Sequence, residues 1–275
     1  MFSILWLFRE ALYGTLLIAL GCSVLGVYVV LRRIVFVGAA LAQLSSAGIA
    51  LAVLLSSFGM SMGHVTGEIG FSFLATIGGV VFFTVSGTRI RVPPDASLGL
   101  AYVLAGAVAV LMIAKTAGAD VHDLFLQGNI LGITLRDTVT LLIIVVSLLL
   151  MHVLLYKEFL FVSFDSEMAQ TLGYATRRWT FLLYLTIGVM IAVAMRSAGV
   201  LLVFNFLVTP AVTGLLLGHN MRGVFAWAVV SGLLAALAGF ALSVPFDLPT
   251  GPAIVAVSGV FAGTAWVIHA LRGET

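Results

Sequence analysis

Charged side chains are scarce in this 275-residue sequence: aspartate, glutamate, lysine and arginine together make up 9% of it, whereas apolar residues make up 62%. A soluble globule of this length needs a larger polar fraction to cover its surface, so a soluble fold is excluded. No long polar block interrupts the chain, which leaves no room for a separate soluble domain. We therefore expect residues 1–275 to form one domain inside a lipid bilayer.

Other absences narrow the function. A single cysteine, Cys22, excludes an internal disulfide and a cysteine-rich metal cluster. The net charge of +2, from scattered basic residues, does not indicate a nucleic-acid partner. The amino terminus lacks a basic region and a cleavage pattern, so we expect the first apolar segment to stay. Without a Walker A loop or a His-Glu-x-x-His motif, the chain is predicted to be neither an ATPase nor an intramembrane metalloenzyme.

Nine apolar runs approach the roughly 20 residues that a spanning helix needs. They cover residues 12–31, 36–57, 70–88, 97–114, 138–156, 180–195, 199–218, 222–244 and 251–271. The pattern predicts an all-α, polytopic bundle of about nine segments. Eight remain possible, because the junctions near Arg33 and Arg196 leave room for one short or re-entrant segment.

The basic residues predict the orientation of this bundle. With the amino terminus outside, nine of the 13 lysines and arginines face the cytoplasm, in agreement with the positive-inside bias. These nine are Arg32, Arg33, Arg89, Arg91, Lys157, Arg177, Arg178, Arg222 and Arg272. The carboxyl terminus is then cytoplasmic as well.

One inner connector, residues 157–179, carries both acids and bases. Ser163 or Asp165 is a candidate N-cap for a short helix that runs to about Leu172 and stops at Gly173, a residue suited to the C′ position. The connector has two interpretations: a docking element for another protein, or an ordinary amphipathic surface loop.

Candidate metal ligands concentrate on the predicted outer side. They are His64, Glu68, Asp120, His122, Asp123 and Asp247. The first two would share a face if they lay on a helix, but Gly63 and Gly67 favour a loop there. The alternative is that all six are solvated loop residues.

Several short motifs, in this order and spacing, resemble the membrane subunits of ATP-binding-cassette importers for divalent metals, the zinc, manganese and iron group. The motifs are Gly-Val-Tyr-Val-Val-Leu-Arg-Arg at 26–33, Pro-Asp-Ala-Ser-Leu-Gly at 94–99, Phe-Asp-Ser-Glu-Met-Ala at 164–169, Gly-Val-Leu-Leu-Val at 199–203, Thr-Pro-Ala-Val-Thr at 209–213 and Asp-Leu-Pro-Thr-Gly-Pro at 247–252. The resemblance extends over nearly the whole chain.

This resemblance implies a permease with the fold of type II importers in the cytoplasmic (inner) membrane, working as a homodimer. Its partners would be a cytoplasmic ATP-binding subunit, which alone binds ATP, and an extracytoplasmic metal-binding protein. Zinc is the first expected cargo, followed by manganese and iron. Residues at about 163–178 would form the coupling-helix loop, with coupling assigned to Asp165, Glu167, Ala169 and Gly173. The translocation pathway would include Ala39, Gln43, Ser46, Asn205, Thr209, Pro210 and Thr213.

The second segment departs from the family pattern. Relatives usually carry an aspartate and a histidine four residues apart, and this chain has Ala39 and Gln43 instead. Gln43 keeps one oxygen but brings no charge, so tight binding of a metal such as zinc is not expected there. Gln43 could equally bond a neighbouring helix.

Two stripes of small residues repeat every fourth position. They are Gly38, Ala42, Ser46 and Ala50, and Ser231, Ala235, Gly239 and Ser243. Each could pack against a second subunit or within one chain. A secondary transporter or a channel is the alternative function, although a secondary transporter would be expected to bury acids in mid-membrane.

Overall fold

The computed structural model describes residues 8–58, 64–86, 94–116, 130–243 and 245–273, and within these ranges every regular element is helical. Ten α-helices follow one another in the described ranges, with one 3₁₀ turn at Ile130–Gly132 before the fifth. They are α1 (Arg9–Leu31), α2 (Val35–Ser57), α3 (His64–Ser86), α4 (Pro94–Ala114), α5 (Leu135–Leu154), α6 (Tyr156–Phe164), α7 (Ser166–Thr171), α8 (Thr176–Leu217), α9 (Met221–Ser243) and α10 (Thr250–Leu271).

Eight of these helices, all except α6 and α7, are long and apolar enough to cross a bilayer. Large apolar side chains on α4, α5 and α10 remain exposed, among them Leu111, Ile143 and Val260. Such surfaces suit a hydrocarbon solvent and would be a liability in water. The predicted helical membrane bundle is confirmed.

The 42-residue helix α8 doubles back on itself. Thr180, near its start, accepts a hydrogen bond from Arg32 at 2.9 Å, and Leu215, near its end, packs in the same small cluster as Leu31. A straight helix would hold residues 180 and 215 about 50 Å apart. The reversal lies at Gly199, whose φ of 72° and ψ of 171° are open essentially only to glycine. Residues 176–198 (α8a) and 200–217 (α8b) are therefore separate apolar segments. The eight long helices thus contain nine apolar segments, the number that the sequence predicted.

The bundle has two ends, each named here after one arginine. The Arg32 end holds the carboxyl ends of α1 and α5, the start of α8a and the end of α8b. The Arg196 end holds the starts of α3 and α5, where Glu68 and Asp137 contact Arg196.

Small residues let the helices approach closely within one chain. Gly26 of α1 lies against the backbone of Leu207, and Gly239 of α9 lies against Ile254 of α10, so neither position has room for a Cβ atom. The non-glycine members of both stripes are buried, and Ala50 packs with Ala109 of α4. The structure thus uses both stripes for packing inside the subunit.

Candidate functional site

A chain of polar side chains runs through the packed contact between α8b and α10. Asn205 donates from Nδ2 to the Ser258 hydroxyl at 2.9 Å, and its Oδ1 accepts from Thr209 Oγ1, also at 2.9 Å. Thr213 continues the line by donating to the Thr209 carbonyl. The four-residue spacing places the α8b members on one face. We call Asn205, Thr209, Thr213 and Ser258 the polar track.

Pro210 weakens α8b beside this track. It is buried and has no backbone N–H, so the Phe206 carbonyl loses its helical donor. With the reversal at Gly199, α8b has one flexible point at its start and one in its middle. A segment of this kind can change its tilt without unfolding.

Three of the predicted pathway residues, Ala39, Gln43 and Ser46, lie on α2 and not on the two helices that carry the polar track. Ala39 and Ser46 are buried, whereas the partly buried amide of Gln43 lies beside Gly106 of α4. Among the described residues, no hydrogen bond joins Gln43 to the polar track. A pathway role for this face of α2 stays a prediction.

The six predicted outer ligands do not assemble within the described residues. Asp120, His122 and Asp123 lie outside those residues, and Asp247 is an exposed turn residue before α10. His64 and Glu68 lie in the first two turns of α3, so the expectation of a loop at this point was wrong: α3 begins at His64 and includes Gly67, since an isolated glycine weakens a helix without ending it. In the described part of the chain, no three His, Cys, Asp or Glu side chains converge on a metal-sized site.

Glu68 instead takes part in an ion cluster at the Arg196 end. Arg196 Nε lies 2.7 Å from Glu68 Oε2, and Arg196 Nη1 lies 3.0 Å from Asp137 Oδ1. The three side chains are 28%, 21% and 14% exposed, in the order Arg196, Glu68, Asp137. This charge triad ties α3, α5 and α8a together three residues before the reversal at Gly199.

Sequence reasoning placed Arg196 on the outer side but missed the charge triad. The only local signal was the pair Thr134 and Asp137, whose spacing is that of a capping box. The structure forms that box: the Asp137 carboxylate accepts from the Thr134 amide, and the Asp137 amide donates to Thr134 Oγ1. Asp137 therefore starts α5 and binds Arg196 with its other oxygen.

At the Arg32 end, the predicted short helix is present as α7. Asp165 is its N-cap, since Asp165 Oδ1 accepts from the Met168 amide at 2.8 Å, while Ser163 is buried within α6. The helix closes on Gly173, whose φ is 85°. The Tyr174 amide donates to the Ala169 carbonyl and the Gly173 amide to the Gln170 carbonyl, which is a complete Schellman motif. We call residues 165–174 the docking helix.

The docking helix presents a mixed surface outward. Ala169 is fully buried, but Met168 and Leu172, like Phe164 at the end of α6, are more than half exposed, and Glu167 is also exposed. Several large apolar side chains exposed together with acids are typical of a site where another protein binds.

Aromatic stacking connects the docking helix to the bundle. Phe159 of α6 lies parallel to His152 of α5, with ring centroids 4.5 Å apart, and meets Trp179 of α8a edge-on at 5.5 Å. Tyr28 of α1 contacts both His152 and Phe159. These four residues form an aromatic anchor that joins α6, the helix before the docking helix, to the three spanning helices α1, α5 and α8a.

Arg32 lies at the same end, between α1 and α8a. Its guanidinium donates to Thr180, and burial lowers its pKa by disfavouring the charged form, an effect that the neighbouring Tyr184 opposes. Sequence reasoning assigned Arg32 to the positive-inside set, and the contact with Thr180 is a further role.

Comparison with known proteins identifies the family. A family model described as the ABC 3 transport family matches residues 5–268. This chain belongs to that family. It is 28% identical over 273 residues to the manganese transport system membrane protein MntC of Halalkalibacterium halodurans, covering 96% of this chain and 88% of that protein. It is also 30% identical over 247 residues to an uncharacterized membrane protein of Cyanophora paradoxa, covering 89% of this chain and 80% of that protein.

A solved structure shares the fold. PsaBC from Streptococcus pneumoniae, in complex with a Fab, superimposes with a TM-score of 0.80 at 22% identity, over 94% of this chain and 90% of that one. The resemblance to the metal-importer group is thereby confirmed. The chain is a multi-pass permease of an ABC-type metal importer in the cytoplasmic membrane.

Proposed function

We propose that this chain carries manganese inward as the membrane half of an ABC importer, paired with a second copy of itself. The observation that carries the proposal is the docking helix, a fully capped helix with an exposed apolar and acidic face, held to the bundle by the aromatic anchor. A separate cytoplasmic subunit binds and hydrolyses ATP, and an extracytoplasmic protein delivers the metal. The chain itself binds no nucleotide and catalyses no reaction.

The orientation follows from charge. The Arg32 end carries Arg32, Arg177, Arg178, Arg222 and Arg272, whereas Arg9, Arg136 and Arg196 belong to the other end. The positive-inside bias therefore supports a cytoplasmic Arg32 end and an outer Arg196 end. This arrangement turns the docking helix towards the cytoplasm, where an ATPase can reach it.

Manganese takes precedence over zinc for two reasons. MntC of Halalkalibacterium halodurans and the MntC protein of Listeria monocytogenes are both named for manganese transport, and these names do not support the zinc-first expectation. The polar track also offers hydroxyl and amide oxygens, which suit the harder manganese ion, and not the nitrogen and sulfur ligands that zinc prefers. These neutral oxygens would replace hydration water only weakly, so the ion would pass without being held.

The mechanism is alternating access driven from the cytoplasmic side. Closure of two ATPase subunits on ATP moves the docking helices, and each Phe159 passes that movement to α1, α5 and α8a. At the outer end the charge triad holds α3, α5 and α8a together. The flexible points at Gly199 and Pro210 let α8b change its tilt while α8a stays packed.

The first experiment co-expresses the tagged chain with its ATPase and metal-binding protein. It measures cellular manganese uptake and the amount of ATPase that copurifies. Glu167→Arg is expected to lower both together, because it reverses the charge on the docking face. Arg272→Glu, a charge reversal at the same end but in the residue that follows α10, serves as the matched control and should leave the copurified ATPase unchanged.

Two results would overturn the proposal. If the wild-type chain never brings down an ATPase, it is not an ABC permease subunit of the proposed kind. If Glu167→Arg leaves uptake and copurification intact, the docking helix has no coupling role. Zinc or iron uptake in place of manganese would correct the cargo alone.

A further inference from the structure

A groove of about 640 Å³ opens on the Arg32 end of the bundle, between the last turns of α3 and the first turns of α8a. Its walls include Val81 and Val85 of α3 and Phe181 and Leu182 of α8a, and its mouth carries Arg177 and Arg178. The groove is separate from the polar track and from the aromatic anchor. We call it the arginine groove.

The two guanidinium groups at its mouth lack a countercharge. Both arginines are exposed, and among the described residues no carboxylate lies within ion-pair distance of either. They also occupy the first turn of α8, where the helix dipole is already positive and cations are unfavourable. Two arginines without a carboxylate partner in the described part of the chain create a concentrated positive potential that a bound anion would neutralise.

The walls below the mouth have the opposite character. Val81 and Val85 are 46% and 41% exposed on a helix that crosses the membrane, and Phe181 and Leu182 face them from α8a. The groove therefore joins a cationic mouth at the end of the bundle to an apolar slot along spanning helices. A free inorganic anion would use only the mouth, and an acidic protein surface would leave the slot uncovered.

We propose that the arginine groove binds one anionic phospholipid, with its phosphate on Arg177 and Arg178 and an acyl chain along Val81, Val85 and Phe181. Guanidinium groups pair well with phosphate oxygens, and basic pockets between spanning helices suit acidic head groups. The site lies immediately after the docking helix in the chain, so lipid binding would steady the start of α8a. The proposal does not depend on which metal is carried.

The test is native mass spectrometry of the intact, purified chain with added phosphatidylglycerol or phosphatidylcholine. The wild-type chain is expected to retain phosphatidylglycerol selectively. The double variant Arg177→Gln/Arg178→Gln should lose about tenfold or more in phosphatidylglycerol binding, since each basic residue near an anionic head group contributes about fivefold. Arg222→Gln, which removes an exposed arginine at the start of α9, is the matched control and should bind as the wild type does.

A second variant tests the slot without changing charge. Val81→Trp fills the apolar wall and should also reduce phosphatidylglycerol binding, while inorganic phosphate should not displace the lipid. Size-exclusion profiles and melting temperatures check that each variant is folded.

Three results would overturn the proposal. They are equal binding of the two lipids, unchanged binding in the double arginine variant, and displacement by inorganic phosphate together with an inert Val81→Trp. If the double variant keeps the lipid but loses the ATPase in the co-expression experiment, the arginines belong to the ATPase interface.

Discussion

The charge triad gives the sharpest test of how the Arg196 end of the bundle is held together. Replacing Arg196 with methionine keeps an unbranched apolar stem but removes the guanidinium group, which leaves Glu68 and Asp137 without their shared cation. An exposed ion pair contributes about 1 kcal/mol or less, and truncating one partner of a buried pair costs about 3–5 kcal/mol. With side chains only 14–28% exposed, the triad lies between these cases. We expect a loss of about 2–3 kcal/mol.

The double variant Arg196→Met/Glu68→Gln tests the charge triad more stringently. In Arg196→Met, two carboxylates that shared one cation are left together in a partly buried site, and they destabilise each other. Adding Glu68→Gln removes one of these charges. Arg196→Met/Glu68→Gln is therefore expected to be more stable than Arg196→Met alone, although the second substitution by itself is destabilising. This sign reversal is what a shared cation produces and what independent contacts cannot produce.

The assay is the melting temperature of the purified chain, followed by size-exclusion chromatography after stepwise heating. At about 2–4 °C per kcal/mol for a chain of this size, Arg196→Met should lower the midpoint by about 4–12 °C. Thr134→Val removes the threonine half of the α5 capping box without touching Arg196, and so measures the cap separately. Additive destabilisation in the double variant, or a shift below about 1 °C in Arg196→Met, would refute the role of the charge triad.

Three further predictions concern the other parts of the site. Gly199→Ala should lower the free energy of unfolding by about 1–3 kcal/mol and reduce uptake, because alanine is strained at this backbone conformation. Gly259→Ala is the control: a Cβ atom at Gly259 faces open space within α10 and should not be destabilising. Equal melting temperatures of the two variants would contradict this prediction. Phe159→Leu keeps apolar volume but loses the stack on His152, so manganese uptake should fall while the ATPase still copurifies; normal uptake would show that the aromatic anchor does not transmit movement. Ala39→Asp with Gln43→His should change the order in which metals compete for uptake, and an unchanged order would remove this face of α2 from the pathway.

The docking helix shows which features of a site can be predicted locally. Its N-cap, its length and its C′ glycine all depend on hydrogen bonds that span three to five residues, as between Asp165 and Met168 or Tyr174 and Ala169. The identity of the cap was left between two residues, because Ser163 and Asp165 are both suitable cap types. Burial of Ser163 within α6 decided between them, and burial is a property of the packed structure.

The remaining interactions depend on which helices become neighbours. Arg196 meets Glu68 across 128 positions of sequence, and Arg32 meets Thr180 across 148. The amide of Gln43 lies beside α4, and Asn205 bonds to α10, although the family pattern assigned both to one pathway. Such contacts follow from the crossing of packed helices, and no periodicity along one segment contains that information.

Composition and local pattern alone determined the membrane setting, the nine apolar segments and the capped docking helix, because hydropathy, helix period and capping act over a few turns of chain. Tertiary structure decided that the small-residue stripes pack within the subunit, that α8 folds back at Gly199 and that three distant charges meet beside that reversal. It also placed two arginines above an apolar slot. These features arise only when separate helices bring their faces together, since the energy of each contact depends on atoms from both sides.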